Sequence, residues 1–114
     1  MTVINKIKKN KDYRKVYSCG KSVADRYLVL FFWVNNLETS RFGFTASKKI
    51  GNAVVRNRVR RLFKEVCRLN INKFPVGFDY VLLARNAIVG RKYQQVEESL
   101  LKLLKNITSR RGQT

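Results

Sequence analysis

The chain has 114 residues, 25 of them Lys or Arg and 7 of them Asp or Glu, which gives a formal net charge of +18. This length suffices for one domain, residues 1–114, and is too small for two cores, while the 45 % share of hydrophobic residues excludes a disordered chain. So large a charge opposes folding through self-repulsion unless an anionic polymer binds, which favours nucleic acid over an anionic membrane surface as the partner.

The residue types also exclude several kinds of site. The chain has no histidine and only two cysteines, Cys19 and Cys67, which excludes a structural zinc site and the Ser-His-Asp and Cys-His catalytic arrangements. We expect both cysteines to be buried free thiols in a reducing cytoplasm. No apolar run follows the basic start, so no signal peptide is expected. The longest apolar stretch, 28–34, is too short to span a bilayer, and the predicted location is cytoplasmic.

The N-terminal part predicts one short helix after a flexible end. Residues 1–11 are basic and only weakly apolar, so we expect them to fray, residues 1–8 in particular. Tyr13, Val16 and Tyr17 recur at i, i+3 and i+4, which predicts a helix over 12–19. The two tyrosines lie one turn apart, where they could stack on bases or belong to the core; the pattern leaves both open.

Three strands are predicted next, at 22–25, 27–34 and 41–47. The second is rich in β-branched and aromatic residues. A polar turn separates it from the third, so we expect these two strands to form an antiparallel hairpin. Phe31 shares a face of the second strand with Val29 and Trp33, and that face is either an open stacking platform or a covered one.

The strand at 41–47 alternates between large and small side chains. Phe42, Phe44 and Ala46 point to one face, which predicts a core face. The opposite face is small and partly hydroxylated, which leaves room for a large ligand. It carries Gly43, Thr45 and Ser47.

A glycine loop then leads into the central helix. Residues 48–61 hold six cationic side chains in fourteen positions. Lys48 and Lys49 flank a predicted helix start, where backbone N–H groups attract anions, although the spacing is not that of a nucleotide-binding P-loop. Asn52 is expected to be the N-cap, and the helix should end near Leu69.

The central helix has two unlike faces. Its apolar stripe consists of Val55, Val59, Leu62, Phe63 and Val66. A separate basic arc consists of Arg56, Asn57, Arg60, Arg61, Lys64 and Arg68. A solvated charged face would carry acids for i, i+4 pairing, but this helix has only Glu65, so the arc predicts contacts with nucleic-acid phosphates. Arg58 lies off the arc, where it could brace the helix or contact RNA, and the pattern leaves both open.

The C-terminal part predicts a strand and a helix. The apolar run 79–84 suits a strand covered on both faces. A closing helix follows over 93–107, with a tail at 109–114 that we expect to be disordered. Its apolar positions are Val96, Leu100, Leu103, Leu104 and Ile107.

The acids do not suggest catalysis by the chain itself. Glu97 and Glu98 are adjacent on a helix and point apart, while Asp12, Asp25 and Asp79 lie in separate segments. Neither a carboxylate pair for acid-base chemistry nor a ligand set for two metal ions is visible. We therefore expect no catalytic residue and no metal site in the protein alone.

Several segments, in order along the chain, resemble one family. Residues 47–62, with Arg56-Asn57-Arg58 at their centre, closely resemble the signature of the bacterial ribonuclease P protein component. The resemblance extends over most of the chain, through the segments 8–13, 20–26, 41–44 and 83–85. It implies an α+β single-domain sandwich of order α-β-β-β-α-β-α, similar to ribosomal S5 domain 2. It also implies a left-handed crossover from the strand at 41–47 to the strand at 79–84, where general rules predict a right-handed one.

The resemblance also implies a function. In this family an RNA subunit is the catalyst of an endoribonuclease and removes the 5′ leader of precursor tRNA with Mg²⁺, which that RNA mainly holds. The protein binds both RNAs, with no membrane and no obligate protein partner. The implied contacts with the catalytic RNA are Lys48, Lys49, Asn52, Arg56, Asn57, Arg60, Arg61, Lys64 and Arg68. The implied leader cleft comprises Tyr13, Tyr17, Phe31, Gly43, Thr45 and Ser47.

Other functions of a basic domain remain as alternatives. The nearest is a ribosome- or tRNA-associated RNA-binding protein of the same fold with no role in cleavage. A protein-only nuclease is disfavoured because histidine and paired acids are lacking. A duplex-DNA architectural protein would prefer DNA to structured RNA.

Family members often have phenylalanine where Tyr13 and Tyr17 stand, so the hydroxyl groups add possible hydrogen bonds to the leader.

Overall fold

A computed structural model describes residues 4–112, with side chains described as far as residue 107. Its elements follow the order α-β-β-β-α-β-α, as predicted. They are α1 (Asn10–Cys19), β1 (Lys21–Ala24), β2 (Leu28–Val34), β3 (Arg41–Thr45), α2 (Ala53–Leu69), β4 (Phe78–Ala84) and α3 (Tyr93–Gly112). Single turns of 3₁₀ helix lie at Lys48–Ile50, Ile71–Lys73 and Asn86–Ile88.

The four strands form one sheet in the order β1-β2-β4-β3. Val81 of β4 lies opposite Phe31 of antiparallel β2 and opposite Gly43 of parallel β3. The predicted antiparallel hairpin of 27–34 with 41–47 is therefore wrong, and the antiparallel hairpin is formed by β1 and β2. Almost every side chain of β4 is buried, and an apolar strand of this kind is most stable in the centre of a sheet.

The loop between β2 and β3 makes this order possible. It crosses the start of β4, where the Asn35 N–H donates to the Gly77 carbonyl at 2.9 Å. The Ser40 hydroxyl donates to the Pro75 carbonyl at 3.1 Å. A loop held by these bonds places β3 on the far side of β4. The connection from β3 through α2 to parallel β4 is the expected crossover; its left-handed sense stays a prediction.

Helices cover both faces of the sheet. On one face α2 and α3 pack on a core that includes Leu30, Phe42 and Leu82. On the other face α1 packs through Val16 against Val81. The alternation of β2 and β3 is thereby confirmed, as are the apolar stripes of α2 and α3. The face that carries Phe31 and Trp33 is covered in part, because α1 shields it and leaves both side chains half-buried.

The N-terminal segment belongs to the fold. The Ile7 N–H donates to the Phe42 carbonyl at 2.9 Å, and the Phe42 N–H donates to the Asn5 carbonyl at 2.8 Å. Ile4 and Ile7 are buried. The prediction that residues 1–11 fray is therefore wrong for residues 4–11, because these two isoleucines anchor the segment along β3. Residues 1–3 lie outside the described part.

The C-terminal helix is longer than predicted. α3 continues to Gly112, so the prediction of a disordered tail at 109–114 is wrong for residues 109–112; no proline or glycine interrupts the helix before Gly112. Residues 113–114 lie outside the described part. Among residues 4–112, no helix is long and apolar enough to cross a membrane.

The two cysteines differ in environment. Cys67 of α2 is buried, as predicted. Cys19 is exposed, so the prediction of a buried thiol is wrong there. Cys19 is the last residue of α1, a helix whose only buried residue is Val16.

Candidate nucleic-acid interface

The basic arc lies on the outer side of α2. Asn57, Arg61 and Lys64 are exposed, while Arg56 and Arg60 are half-buried. The Arg60 guanidinium donates to Asn57 Oδ1, which holds it against the helix surface. Within residues 4–107, no ion pair neutralises Arg56, Arg60, Arg61 or Lys64. This face therefore presents full positive charges that can bind phosphate.

Arg58 and Arg68 of α2 have different surroundings. Arg68 forms an ion pair with Glu65, and this guanidinium lowers the pKa of the Glu65 carboxyl. Such an ion pair at the surface is weak because water and salt screen it, so a phosphate can still compete for Arg68. Arg58 is exposed and has no hydrogen bond or ion pair to residues 4–107, so contact with a ligand is favoured over bracing of the helix.

The loop before α2 presents two lysines beside the helix start. Ile50 is buried and anchors the turn, which leaves Lys48 and Lys49 exposed. The Val55 N–H donates to Asn52 Oδ1 at 3.0 Å, so the predicted N-cap is confirmed. The side-chain oxygen of Asn52 accepts this hydrogen bond, and the side-chain N–H groups of Asn52 remain able to donate to an anion.

Tyr13 lies directly over Gly43. A Cβ atom added to Gly43 would lie 2.5–2.7 Å from ring and hydroxyl atoms of Tyr13. Gly43, which was predicted to leave room for a ligand, is thus covered by the Tyr13 side chain of the same protein. Burial, with a smaller contribution from Tyr17, raises the pKa of the Tyr13 phenol. Tyr13 therefore packs on the sheet and forms one side of the predicted leader cleft.

Tyr17 keeps more of its ring in solvent, with 39 % of the residue exposed. Its ring meets Phe31 edge to face, with centroids 4.9 Å apart. Its hydroxyl lies 3.4 Å from Thr45 Oγ1, which in turn donates to the Leu82 carbonyl. The structure therefore brings Tyr17, Phe31 and Thr45 together, whereas Ser47 is exposed beyond the end of β3.

The predicted RNA face and the predicted cleft meet at one depression, which we call the main cleft. It has a volume of about 340 Å³ and lies beside β3. Its walls come from both predicted sets and from the N-terminal segment. They are Lys6, Ile7, Tyr13, Phe42, Gly43, Phe44, Arg60, Arg61 and Lys64.

Lys6 is a functional candidate that the sequence interpretation missed. Its pKa is lowered, chiefly because the Lys64 ammonium lies nearby. A second groove of about 320 Å³ continues from Lys6 along the N-terminal lysines, past Asp12 and Arg41. The lysines in residues 6–11 could have indicated this site. Without knowledge that the segment pairs with β3, however, they suggest only a flexible basic end.

Two acids that are distant in sequence meet at a single arginine. Arg41 donates to Asp79 and lies 3.5 Å from an Asp12 oxygen. Both carboxylates are therefore engaged by a cation of the fold. Residues 4–107 contain no group of three His, Cys, Asp or Glu side chains that could hold a metal ion.

Comparisons with known proteins agree with this architecture. The family model described as Ribonuclease P matches residues 1–108. The chain is 57 % identical over 105 residues to the ribonuclease P protein component of Pelotomaculum thermopropionicum, covering 92 % of this chain and 94 % of that one. It is 43 % identical over 107 residues to the same component of Alkaliphilus oremlandii, covering 94 % of each.

Solved structures are similar as well. The RNase P protein of Staphylococcus aureus superposes with a TM-score of 0.82 at 32 % identity, covering 92 % of this chain and 96 % of that one. The RNase P protein of Thermotoga maritima gives a TM-score of 0.82 at 31 % identity, covering 90 % and 96 %. The chain therefore belongs to the ribonuclease P protein family.

Proposed function

We propose that this chain binds the RNA subunit of ribonuclease P through α2 and holds the 5′ leader of precursor tRNA beside it. The observation that carries the proposal is the main cleft, where Arg60, Arg61 and Lys64 of the basic face lie next to Tyr13 and Gly43 of the aromatic one. One surface can therefore contact two RNAs that must lie side by side.

The α2 face suits a folded RNA because Arg61 and Lys64 are exposed and neither forms an ion pair within residues 4–107. Arginine forks bridge phosphate oxygens in bidentate fashion, and the N-terminus of α2 adds the partial positive charge of its unpaired N–H groups. Lys48 and Lys49 lie beside that N-terminus. Binding that depends on several phosphates weakens steeply with salt, by roughly ten-fold or more for a doubling of concentration.

The leader is proposed to run from Tyr13 in the main cleft to Tyr17, one helical turn further along α1, and Phe31. Tyr17 meets Phe31 edge to face, so a face of its ring remains available to an unpaired base. Such stacking contributes about 1–3 kcal/mol per base and tolerates any sequence. A cleft of this kind fits a single-stranded leader that differs from one precursor to the next.

Cleavage is assigned to the RNA subunit and to Mg²⁺ held mainly by that RNA. The chain's own acids do not fit a Mg²⁺ site, because Asp12 and Asp79 are both engaged by Arg41 and hard cations prefer free carboxylate oxygens. The contribution of the protein is to position the leader and to reduce the repulsion between two polyanions. A cytoplasmic location accords with this role and stays a prediction.

Reconstitution tests the proposal. A bacterial ribonuclease P RNA is mixed with this protein and a precursor tRNA at low Mg²⁺, and release of the 5′ leader is measured. We expect cleavage only when RNA subunit and protein are both present. Cleavage by the protein alone would indicate a protein-only nuclease. RNA binding without restored cleavage would favour a ribosome- or tRNA-associated protein of the same fold.

A further inference from the structure

A second group of cations lies away from the main cleft, at the end of the sheet where β3 and β4 end and β2 begins. We call it the edge cluster and define it as Arg26, Tyr27, Arg85 and Arg91. The Arg85 N–H donates to the Tyr27 carbonyl at 2.9 Å, so the ends of β2 and β4 are joined there. Arg26, Arg85 and Arg91 are all exposed.

The tyrosine orients two of these arginines. The guanidinium carbons of Arg26 and Arg91 lie 5.2 and 5.8 Å from the centroid of the Tyr27 ring. At such distances a guanidinium group is attracted to the ring by a cation–π interaction. Tyr27 is itself half-buried against the core under α2 and α3. The two guanidinium groups are thus held against a fixed ring.

Backbone carbonyls also hold Arg85 and Arg91 in place, and they do so without neutralising the positive charge. Arg91 Nε donates to the Ala87 carbonyl at 3.1 Å, and Arg85 Nη1 donates to the Asp25 carbonyl at 2.9 Å. An arginine has five N–H donors, so each of these side chains keeps donors for a ligand. Carbonyl acceptors cancel none of the positive charge.

The nearest acid is already engaged. Asp25 Oδ1 accepts from the Tyr27 and Leu28 N–H groups, and Oδ2 accepts from the Ser99 hydroxyl. No carboxylate in residues 4–107 forms an ion pair with an arginine of the edge cluster. Asp12 and Asp79 meet at Arg41, beside the opposite ends of β3 and β4. The edge cluster therefore has three cations beside one carboxylate and keeps a net positive charge.

We propose that the edge cluster binds phosphates of the RNA subunit as a second anchor, separate from the α2 face. The proposal rests on the function proposed above. β3, which leads into the loop of Lys48 and Lys49, ends where β2 begins after Arg26, and these two strands lie two strand spacings apart, or roughly 10 Å. Both α2 and α3 begin at this edge, and their N-termini add positive potential. An RNA backbone on α2 can thus continue onto the cluster.

The chemistry favours phosphate over bases at this place. The Tyr27 ring is half-buried and two guanidinium groups lie near it, so a base would have to displace a guanidinium group to stack there. Tyr27 packs on the α2 and α3 side of the sheet, whereas Tyr17 packs with Phe31 on the α1 side. The cluster therefore belongs with the RNA subunit and not with the leader.

The test uses a double substitution, Arg26→Gln with Arg91→Gln. Affinity for ribonuclease P RNA is measured over a series of salt concentrations by filter binding. The slope of log K against log salt should become shallower by about 1–2, the change for one or two lost phosphate contacts. The control double, Lys73→Gln with Lys105→Gln, removes the same charge from exposed positions outside α2 and the edge cluster and should leave the slope unchanged.

Further arms separate the possible outcomes. Arg26→Lys with Arg91→Lys keeps the charge and should keep most of the slope, which would exclude a mere folding defect. An unchanged slope in the glutamine variant would overturn the edge cluster alone, provided that the wild-type protein still prefers ribonuclease P RNA to unrelated RNA. A variant that loses affinity for precursor tRNA alone, and keeps its affinity for ribonuclease P RNA, would also overturn the edge cluster. Absence of that preference in the wild type would instead overturn the proposed function.

Discussion

Arg41 and Asp79 lie opposite each other on the parallel strands β3 and β4 and form a two-pronged ion pair. Arg41 Nη2 is 2.6 Å from Asp79 Oδ2, and Nε is 2.9 Å from Oδ1. The third nitrogen, Nη1, lies 3.5 Å from Asp12 Oδ2 at the start of α1. The pair thus connects the helix that covers the cleft to the two strands beneath it.

Arg41→Gln is expected to lower the free energy of unfolding by about 2–4 kcal/mol. Only 5 % of the Asp79 side chain is exposed, and removing one partner of a buried pair leaves a charge without compensation. Asn35 Nδ2 still donates to Asp79 Oδ1, which limits the loss. Urea unfolding measures the change, with Arg58→Gln as an exposed control that should stay within about 0.5 kcal/mol. Equal stability of the two variants would contradict the structural role of Arg41.

Gly43→Ala is expected to displace Tyr13 and to cost about 1–3 kcal/mol, because the added methyl group overlaps the tyrosine ring. The same substitution made in a Tyr13→Ala background should cost much less, since the overlapping ring is absent. A double-mutant cycle from urea unfolding measures this coupling. Additive losses in the two variants would show that Tyr13 does not rest on Gly43.

Tyr17→Ala is expected to weaken the binding of precursor tRNA to the assembled particle by about five-fold or more, the loss of one stacked base. Mature tRNA has no leader and should bind almost as before. Tyr17→Phe keeps the ring and should retain most of the affinity, because the 3.4 Å contact with Thr45 is long for a hydroxyl pair. Equal losses for precursor and mature tRNA would contradict the assignment of the cleft.

Lys64→Gln is expected to raise the pKa of Lys6 towards its ordinary 10.5, because the Lys64 ammonium is the main cause of its depression. NMR titration of the Lys6 ε-methylene measures it, with Lys105→Gln as the control. Between the lowered pKa and 10.5 the unfolded chain binds more protons than the native one, so native stability should rise with pH there. That rise should shrink in Lys64→Gln. An unchanged Lys6 titration would contradict the proximity of the two ammonium groups.

Local patterns were sufficient for the elements and insufficient for their pairing. The cap at Asn52 and the stripe from Val55 to Val66 follow from spacing within one helix, and both are confirmed. Strand order depends on which segment buries most apolar surface, so β4 separates strands that are neighbours in sequence. The same long-range pairing brings Lys6 onto β3.

The candidate site shows the same division. The basic arc of α2 follows from helical periodicity and needs no tertiary information. The seat of Tyr13 on Gly43 and the meeting of Asp12 with Asp79 at Arg41 arise only when α1 packs on the sheet. Exposure of Cys19 likewise depends on how little of α1 is buried.

The central claim is that the α2 face is the surface that selects ribonuclease P RNA, and a matched pair of variants tests it most directly. Arg60→Ala with Arg61→Ala removes two cations from the main cleft, whereas Lys73→Ala with Lys105→Ala removes two exposed cations outside both that cleft and α2. The measurement is the affinity of each protein for ribonuclease P RNA relative to an unrelated structured RNA at fixed salt. We predict that the first variant loses at least ten-fold of this preference and that the second keeps it. Equal preferences in the two variants, or no preference in the wild type, would contradict the claim.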